Sequence, residues 1–217
     1  MKKLFTLAAV ALFVGTTASA QIGESKSKKI ETTYTTTTTE VTQQYENYNR
    51  IIFGWAPTSF SIDGESEMIH GFDFGWNIGI NVTRGKRLPI YVETGFLMNA
   101  AFGDCISESD KLLNFEIPIN ATYRFKIPNT RIFICPFFGF HFKVNTLWLD
   151  DDSDSYFDDY KNFDANRFQM GMQLGANFDI YNFHMGFGWN YDFIPIAEWR
   201  KENLTTSGAR INIGVTF

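Results

Sequence analysis

Residues 69–82, IHGFDFGWNIGINV, exchange apolar and polar side chains one for one. Phe72, Phe74, Trp76, Ile78, Ile80 and Val82 fall on one face; Gly71, Asp73, Gly75, Asn77, Gly79 and Asn81 fall on the other. Successive side chains of a β-strand point to opposite sides, so the run predicts a strand with one apolar and one polar face. It is far longer than the usual strand of about 5–6 residues, and longer than the ~9–11 tilted residues that cross a bilayer. The pattern recurs to the end of the chain. It predicts an all-β fold, an antiparallel transmembrane β-barrel.

The N-terminus reads as an export signal. Lys2 and Lys3 precede the apolar run LFTLAAVALFV, and Ala18, Ser19 and Ala20 set a cleavage site between Ala20 and Gln21. The apolar run is too short for a spanning helix. No Cys follows the site, so a lipid anchor is not indicated, and no later stretch reaches the ~18–20 apolar residues of a membrane helix. Three segments are therefore expected: a signal peptide at 1–20, a polar, Thr-rich periplasmic lead-in at 21–49, and an outer-membrane barrel at 50–217.

Eight strands are predicted within that barrel, at 50–59, 69–82, 88–101, 112–125, 131–146, 167–180, 182–195 and 207–217. The connections near 61–68, 102–111, 147–166 and 196–206 read as long, and those at 83–87, 126–130 and 181 as short. Outer-membrane barrels have this asymmetry, with short periplasmic turns and long external loops. An even strand number puts both ends of the barrel on the periplasmic side. Pro118 and Pro136 fall inside strands; Pro lacks a ladder donor, so a bulge is expected at each.

The mean hydropathy of −0.17 suits such a barrel, because half of each strand faces a polar interior. A formal charge of −5 argues against a basic nucleic-acid surface. Side-chain volume decides which face points outward. One set holds Phe115, Ile117, Ile119 and Tyr123, then Phe183, Met185, Phe187, Trp189, Tyr191 and Phe193; the other holds Gly171, Gln173, Gly175, Asn177, Asp179, Gly186, Gly188, Asn190 and Asp192. An eight-stranded barrel has an interior just wide enough for side chains. The small and polar set fits that lumen, and the aromatics fit a lipid-facing belt.

The strand LNFEIPINATYRF at 113–125, the return strand FICPFFGFHF at 133–142 and the terminal Phe217 carry a resemblance. The chain resembles small eight-stranded outer-membrane barrels of the OmpA and OmpX type. In sequence style it is similar to the PorT-like "outer membrane protein beta-barrel domain" family. The resemblance implies residence in the cell outer membrane and contact with its lipid, and Phe217 is similar to the signal read by the barrel assembly machinery. It does not imply an activity, because such barrels include adhesins, anchors, secretion accessories and enzymes.

Ionisable side chains in the lumen need partners, since an unpaired buried charge is costly. Asp73, Glu93, Glu116, Arg124, His141, Lys143, Asp192 and Arg210 fall on the inward face. Asp73, Glu116, Lys143, Asp192 and Arg210 are expected to form an ionic plug in the outer half, with Arg210 paired to Asp192 and Lys143 to Glu116. The other reading of these residues is a gate or narrow conductance path.

The segment LWLDDDSDSYFDDYKNFDAN at 147–166 has the densest charge. Asp150, Asp152, Asp154, Asp158 and Asp159, with Tyr156 among them, are candidate contacts for a protein or lipopolysaccharide partner or a divalent cation. The plainer reading is a solvated acidic loop. An EF-hand frame started at Asp150 puts Ser155 at position six and Lys161 at position twelve, where Gly and Glu are needed, so that motif fails. No cofactor or dedicated metal motif is found. His141 and Asp192 are a conceivable acid–base pair, with a structural hydrogen bond as the plainer reading. G-x-S-x-G, H-E-x-x-H and P-loop motifs are absent from the sequence.

The expectation is a monomeric, non-enzymatic outer-membrane barrel with a structural or interaction role. An enzyme acting on lipid or peptide at the outer rim, and a narrow channel or secretion accessory, are the alternatives.

Overall fold

The computed structural model describes residues 45–83, 88–104, 109–150, 152, 154–157, 163–199 and 202–217. The cleavage pair Ala20 and Gln21, most of the lead-in, Asp158 and Asp159 lie outside the described residues. Within them are twelve strands: β1 (Tyr48–Trp55), β2 (Thr58–Ile62), β3 (Glu65–Asn81), β4 (Ile90–Gly103), β5 (Asp110–Tyr123), β6 (Phe125–Lys126), β7 (Ile132–Leu149), β8 (Phe163–Ala165), β9 (Phe168–Ile180), β10 (Phe183–Asp192), β11 (Ala197–Trp199) and β12 (Glu202–Thr216). β1, β3, β4, β5, β7, β9, β10 and β12 follow one another around an antiparallel ring, and β12 closes on β1 with Arg50 opposite Thr216. The eight predicted strands are these eight.

Closure removes every open edge among the spanning strands, which satisfies the backbone in a medium without water. Alternation does the rest. β3 buries every second residue from Ile69 to Gly79. Phe74 and Trp76 are 55% and 50% exposed, while Asp73 between them is fully buried. Outward Phe, Ile, Leu, Val and Trp side chains encircle the barrel as a lipid-facing belt.

Local chemistry departs from the sequence reading in four places. The connection expected as a long loop at 61–68 is a tight hairpin. Asp63 and Gly64 both have positive φ (46° and 84°), the conformation of a type I′ turn, for which Asp-Gly is a preferred pair. β2 continues the line of β1 after a break at Ala56–Pro57, where Pro removes a ladder donor, and it pairs with both β3 and β12. The bulges expected at Pro118 and Pro136 are absent: Pro118 stays in register with His141, and Pro136 with Ala176. The register shift lies instead between Leu113 and Asn114 on β5, opposite the extra residue Thr146 on β7, whose hydroxyl donates to the Leu113 carbonyl at 3.0 Å.

That bulge has a consequence for packing. Inward positions on β7 are odd-numbered through Asn145 and even-numbered afterwards, so Trp148 turns into the barrel instead of out to lipid. β7 also runs to Leu149, into the stretch expected to be loop.

Candidate functional site in the barrel lumen

Three layers of side chains fill the lumen between the periplasmic and external ends. The periplasmic layer centres on Arg50, which is fully buried and pairs with Glu93 and, at 2.9 Å, with Asp179. Asp179 also meets Arg124 at 3.1 Å, His184 Nδ1 at 2.9 Å and the Thr216 hydroxyl at 3.0 Å. The Tyr48 hydroxyl donates to Glu93 at 2.7 Å. The guanidinium groups of Arg50 and Arg124 lie 4.4 and 4.5 Å from the centre of the Tyr48 ring. Gly79 makes room for that ring, because a Cβ there would overlap it. Two carboxylates thus face two guanidiniums with their hydrogen bonds shared, the condition under which buried charges persist.

Above this layer lies a neutral band of amides and glycines, in which Gln173 donates to Asn120 at 2.8 Å. The second ionic layer follows. Arg210 on β12 pairs with Asp73 through Nε and donates to both Glu116 oxygens, at 3.1 and 2.9 Å. Lys143 meets Asp192 at 2.8 Å, and His141 Nε2 meets the other Asp192 oxygen at 2.5 Å. Asn99 donates to Asp73 at 2.8 Å, and Thr206 donates to Asp192 at 2.5 Å. Between Pro57, Asn114, Lys143 and Arg210 remains a polar cavity of about 10 Å³, no larger than one water requires.

All five residues named for the plug come together, but in different pairs. Arg210 is opposite Gly188 on β10, four residues below Asp192, so it turns to Asp73 and Glu116. Lys143 stands opposite Glu116 in register, yet its ammonium goes to Asp192. Sequence reasoning missed Arg50 as an inward charge and did not assemble Asp179 and His184 with Glu93 and Arg124. The available signal was the alternation itself, which places Arg50 and Tyr48 on one face of β1.

The third layer is apolar. Phe60, Ile69, Ala101, Leu112, Trp148, Tyr156, Ile196, Ala197 and Leu204 form one buried cluster across the external mouth. The Trp148 and Tyr156 rings lie 4.8 Å apart, and Phe60 stacks on Trp148 at 5.8 Å. The sequence predicted a lumen lined by polar residues throughout, and this layer corrects it.

It also corrects the reading of the acidic segment. Tyr156 is buried, its hydroxyl donating to Asp110 at 2.9 Å and its amide to the Trp148 carbonyl at 3.0 Å. Asp150 is buried as well and accepts from the Asp154 amide at 2.8 Å. The segment folds back to complete the apolar layer, because burying a Tyr ring outweighs leaving it in water. Of the candidate contact residues, Asp152 and Asp154 are exposed to solvent. Among the described residues no group of three His, Cys, Asp or Glu side chains is placed to hold a metal ion.

His141 and Asp192 meet as the sequence suggested, fully buried beneath the apolar layer. His184 lies at the periplasmic end, and His70 sits beside the Trp55 ring at 6.2 Å.

The profile of the family described as "Outer membrane protein beta-barrel domain" matches residues 108–197, from β5 to the start of β11. No curated protein sequence matches the chain. Among solved structures, Neisserial surface protein A (NspA) is similar, with a TM-score of 0.51, 15% identity, and coverage of 79% of this chain and 97% of that one. The attachment invasion locus protein Ail of Yersinia pestis, solved with the heparin analogue sucrose octasulfate, gives a TM-score of 0.43 at 13% identity, covering 80% and 100%. The N-terminal β-barrel domain of Pseudomonas aeruginosa OprF gives 0.39 at 11%, covering 78% and 99%. The chain is an eight-stranded antiparallel barrel of the cell outer membrane.

Proposed function

We propose that the protein is a closed, monomeric outer-membrane barrel whose role is structural or interactive and is exercised at its external surface. The observation that carries this reading is the Arg210–Glu116 bridge. It joins strands four places apart in a ring of eight, and so spans the full width of the lumen. The Arg50–Asp179 pair and the apolar cluster over the mouth add two further obstructions in series. In this reading the lumenal charges act as a plug. The His141–Asp192 contact is structural, because it lies under a sealed mouth where no substrate arrives.

The remaining organisation follows the same reading. The chain is cleaved after Ala20, the residues from Gln21 to the start of β1 stay on the periplasmic side, and the assembly machinery inserts the barrel through its last strand. Outer-membrane lipid surrounds the aromatic belt. A protein or lipopolysaccharide partner is met by the external connections, where Asp152 and Asp154 are exposed.

Planar-bilayer recording of the purified, folded protein tests the plug. Little or no steady conductance is expected. Large, stable channels in the unmodified protein would overturn it and favour the narrow-channel reading.

A further inference from the structure

A second site lies at the opposite end of the barrel. A pocket of about 400 Å³ opens at the periplasmic rim, between the last residues of the lead-in and the β5–β7 connection. Tyr45, Tyr123, Phe125, Lys126, Pro128 and Asn129 line it. Tyr45 is held beneath the rim by its neighbours: the Tyr91 hydroxyl donates to the Glu46 carbonyl at 3.1 Å, and the Asn81 amide donates to Asn47 Oδ1 at 3.0 Å. The volume lies within the range of sites for small molecules, ~300–1,000 Å³.

Its surroundings define the ligand chemistry. Tyr123 and Phe125, with rings 4.3 Å apart, are exposed at the periplasmic end of the outward row that carries Ile117 and Ile119. The pocket therefore opens where the hydrocarbon belt gives way to headgroups, the depth that amphipathic aromatics favour. Arg124 is committed to Asp179 inside the lumen. Lys126 is exposed and makes no ion pair among the described residues. In sequence, the two periplasmic connections 83–89 and 124–131 carry Arg84, Lys86, Arg87, Arg124, Lys126 and Arg131 and no acidic residue, whereas the acidic run lies on the external side.

We infer that this pocket seats the headgroup of an anionic phospholipid of the inner leaflet. Its phosphate accepts from the Lys126 ammonium, and its glycerol end lies against Tyr123 and Phe125. A basic residue at a membrane surface attracts anionic lipid, and the ring pair places the acyl chains in continuity with the belt.

Native mass spectrometry of the folded protein, incubated with phosphatidylglycerol or with phosphatidylcholine, tests the site. The expected result is a retained phosphatidylglycerol adduct that falls about tenfold in Lys126→Glu, the scale of one lost charge-assisted contact. Lys111→Glu, which reverses an exposed cation at the external end, should leave the adduct unchanged. Lys126→Gln, read alongside, should lower it several-fold and serves if the charge reversal fails to fold. The inference is overturned by an equal loss in the Lys111 variant, by equal retention of both lipids, or by an adduct indifferent to Lys126. Inorganic phosphate that binds alone and displaces the lipid would assign the pocket to free phosphate instead. Conductance through the lumen does not enter this readout, so the pocket and the plug fail separately.

Discussion

Arg210 on β12 and Glu116 on β5 stand on opposite walls of the barrel and are joined by two hydrogen bonds of 3.1 and 2.9 Å. Asp73 on β3 takes the remaining face of the same guanidinium. One cation thus ties three strands, and a planar fork is the side chain suited to that geometry.

Replacing Arg210 with Met should therefore be costly. It leaves Asp73 and Glu116 buried without their cation, a loss of about 3–5 kcal/mol where one partner of a buried pair is removed. Adding Glu116→Gln should recover part of that loss. Urea unfolding in lipid vesicles measures both variants, and a double-mutant cycle with no coupling would contradict the bridge.

The facing of residues is open to direct test. Arg in place of Phe187, on the lipid face, should destabilise by ~2–4 kcal/mol near the midplane. At neighbouring Gly188, on the lumen face, a Cβ alone would make only ordinary contact with the Phe137 ring, at 3.4 Å, and the obstacle is the length of an Arg side chain that the filled lumen has to admit. Spin labels at positions 74 and 76 should be relaxed by lipid-soluble oxygen, and labels at 73 and 77 should be shielded. The reverse pattern would invert the barrel.

The apolar layer depends on one extra residue. Trp148→Ala should cost ~3–5 kcal/mol, as for other large core truncations. Deleting Thr146 removes the bulge and should turn Trp148 toward lipid. Quenching of tryptophan fluorescence by brominated lipid should then rise relative to the parent. Unchanged quenching would mean that the bulge does not set the direction of this side chain.

The acidic segment separates into a packed part and a displayed part. Asp152→Asn with Asp154→Asn should leave the difference in gel mobility between unheated and boiled samples intact, because both side chains are exposed. It should also reduce any cation-dependent binding shown by the parent. Tyr156→Ala should destabilise the external mouth by ~3 kcal/mol, read by unfolding. Deleting 150–164 as a block would remove Tyr156 and part of β8, and so would not report on binding alone. Cation-dependent binding that survives neutralisation of Asp152 and Asp154 would place it elsewhere on the surface.

The eight strands, their direction and their outward face follow from the sequence, because a period of two is written in neighbouring residues. Phe74 and Asp73 take opposite sides whatever the rest of the chain does. So does the membership of the second ionic layer, since Asp73, Glu116, Lys143, Asp192 and Arg210 all fall on the inward parity. Seven Asp residues give the acidic segment the composition of a solvated loop, yet Tyr156 among them supplies a ring that the mouth of the barrel buries.

Who meets whom was decided only by the closed ring. Arg210 and Asp192 share a wall and are separated by register, while Arg210 and Glu116 are far apart in sequence and on facing walls. Their contact exists because the sheet closes at a diameter that a guanidinium can bridge. Trp148 tells the same story through a different cause. Its parity in the sequence points it to lipid, and the unpaired Thr146 reverses that parity by adding a residue to one strand and not its partner. Alternation is a local property and survives in the sequence. Register, curvature and closure are properties of strand pairs, and they set the contacts that fill the lumen.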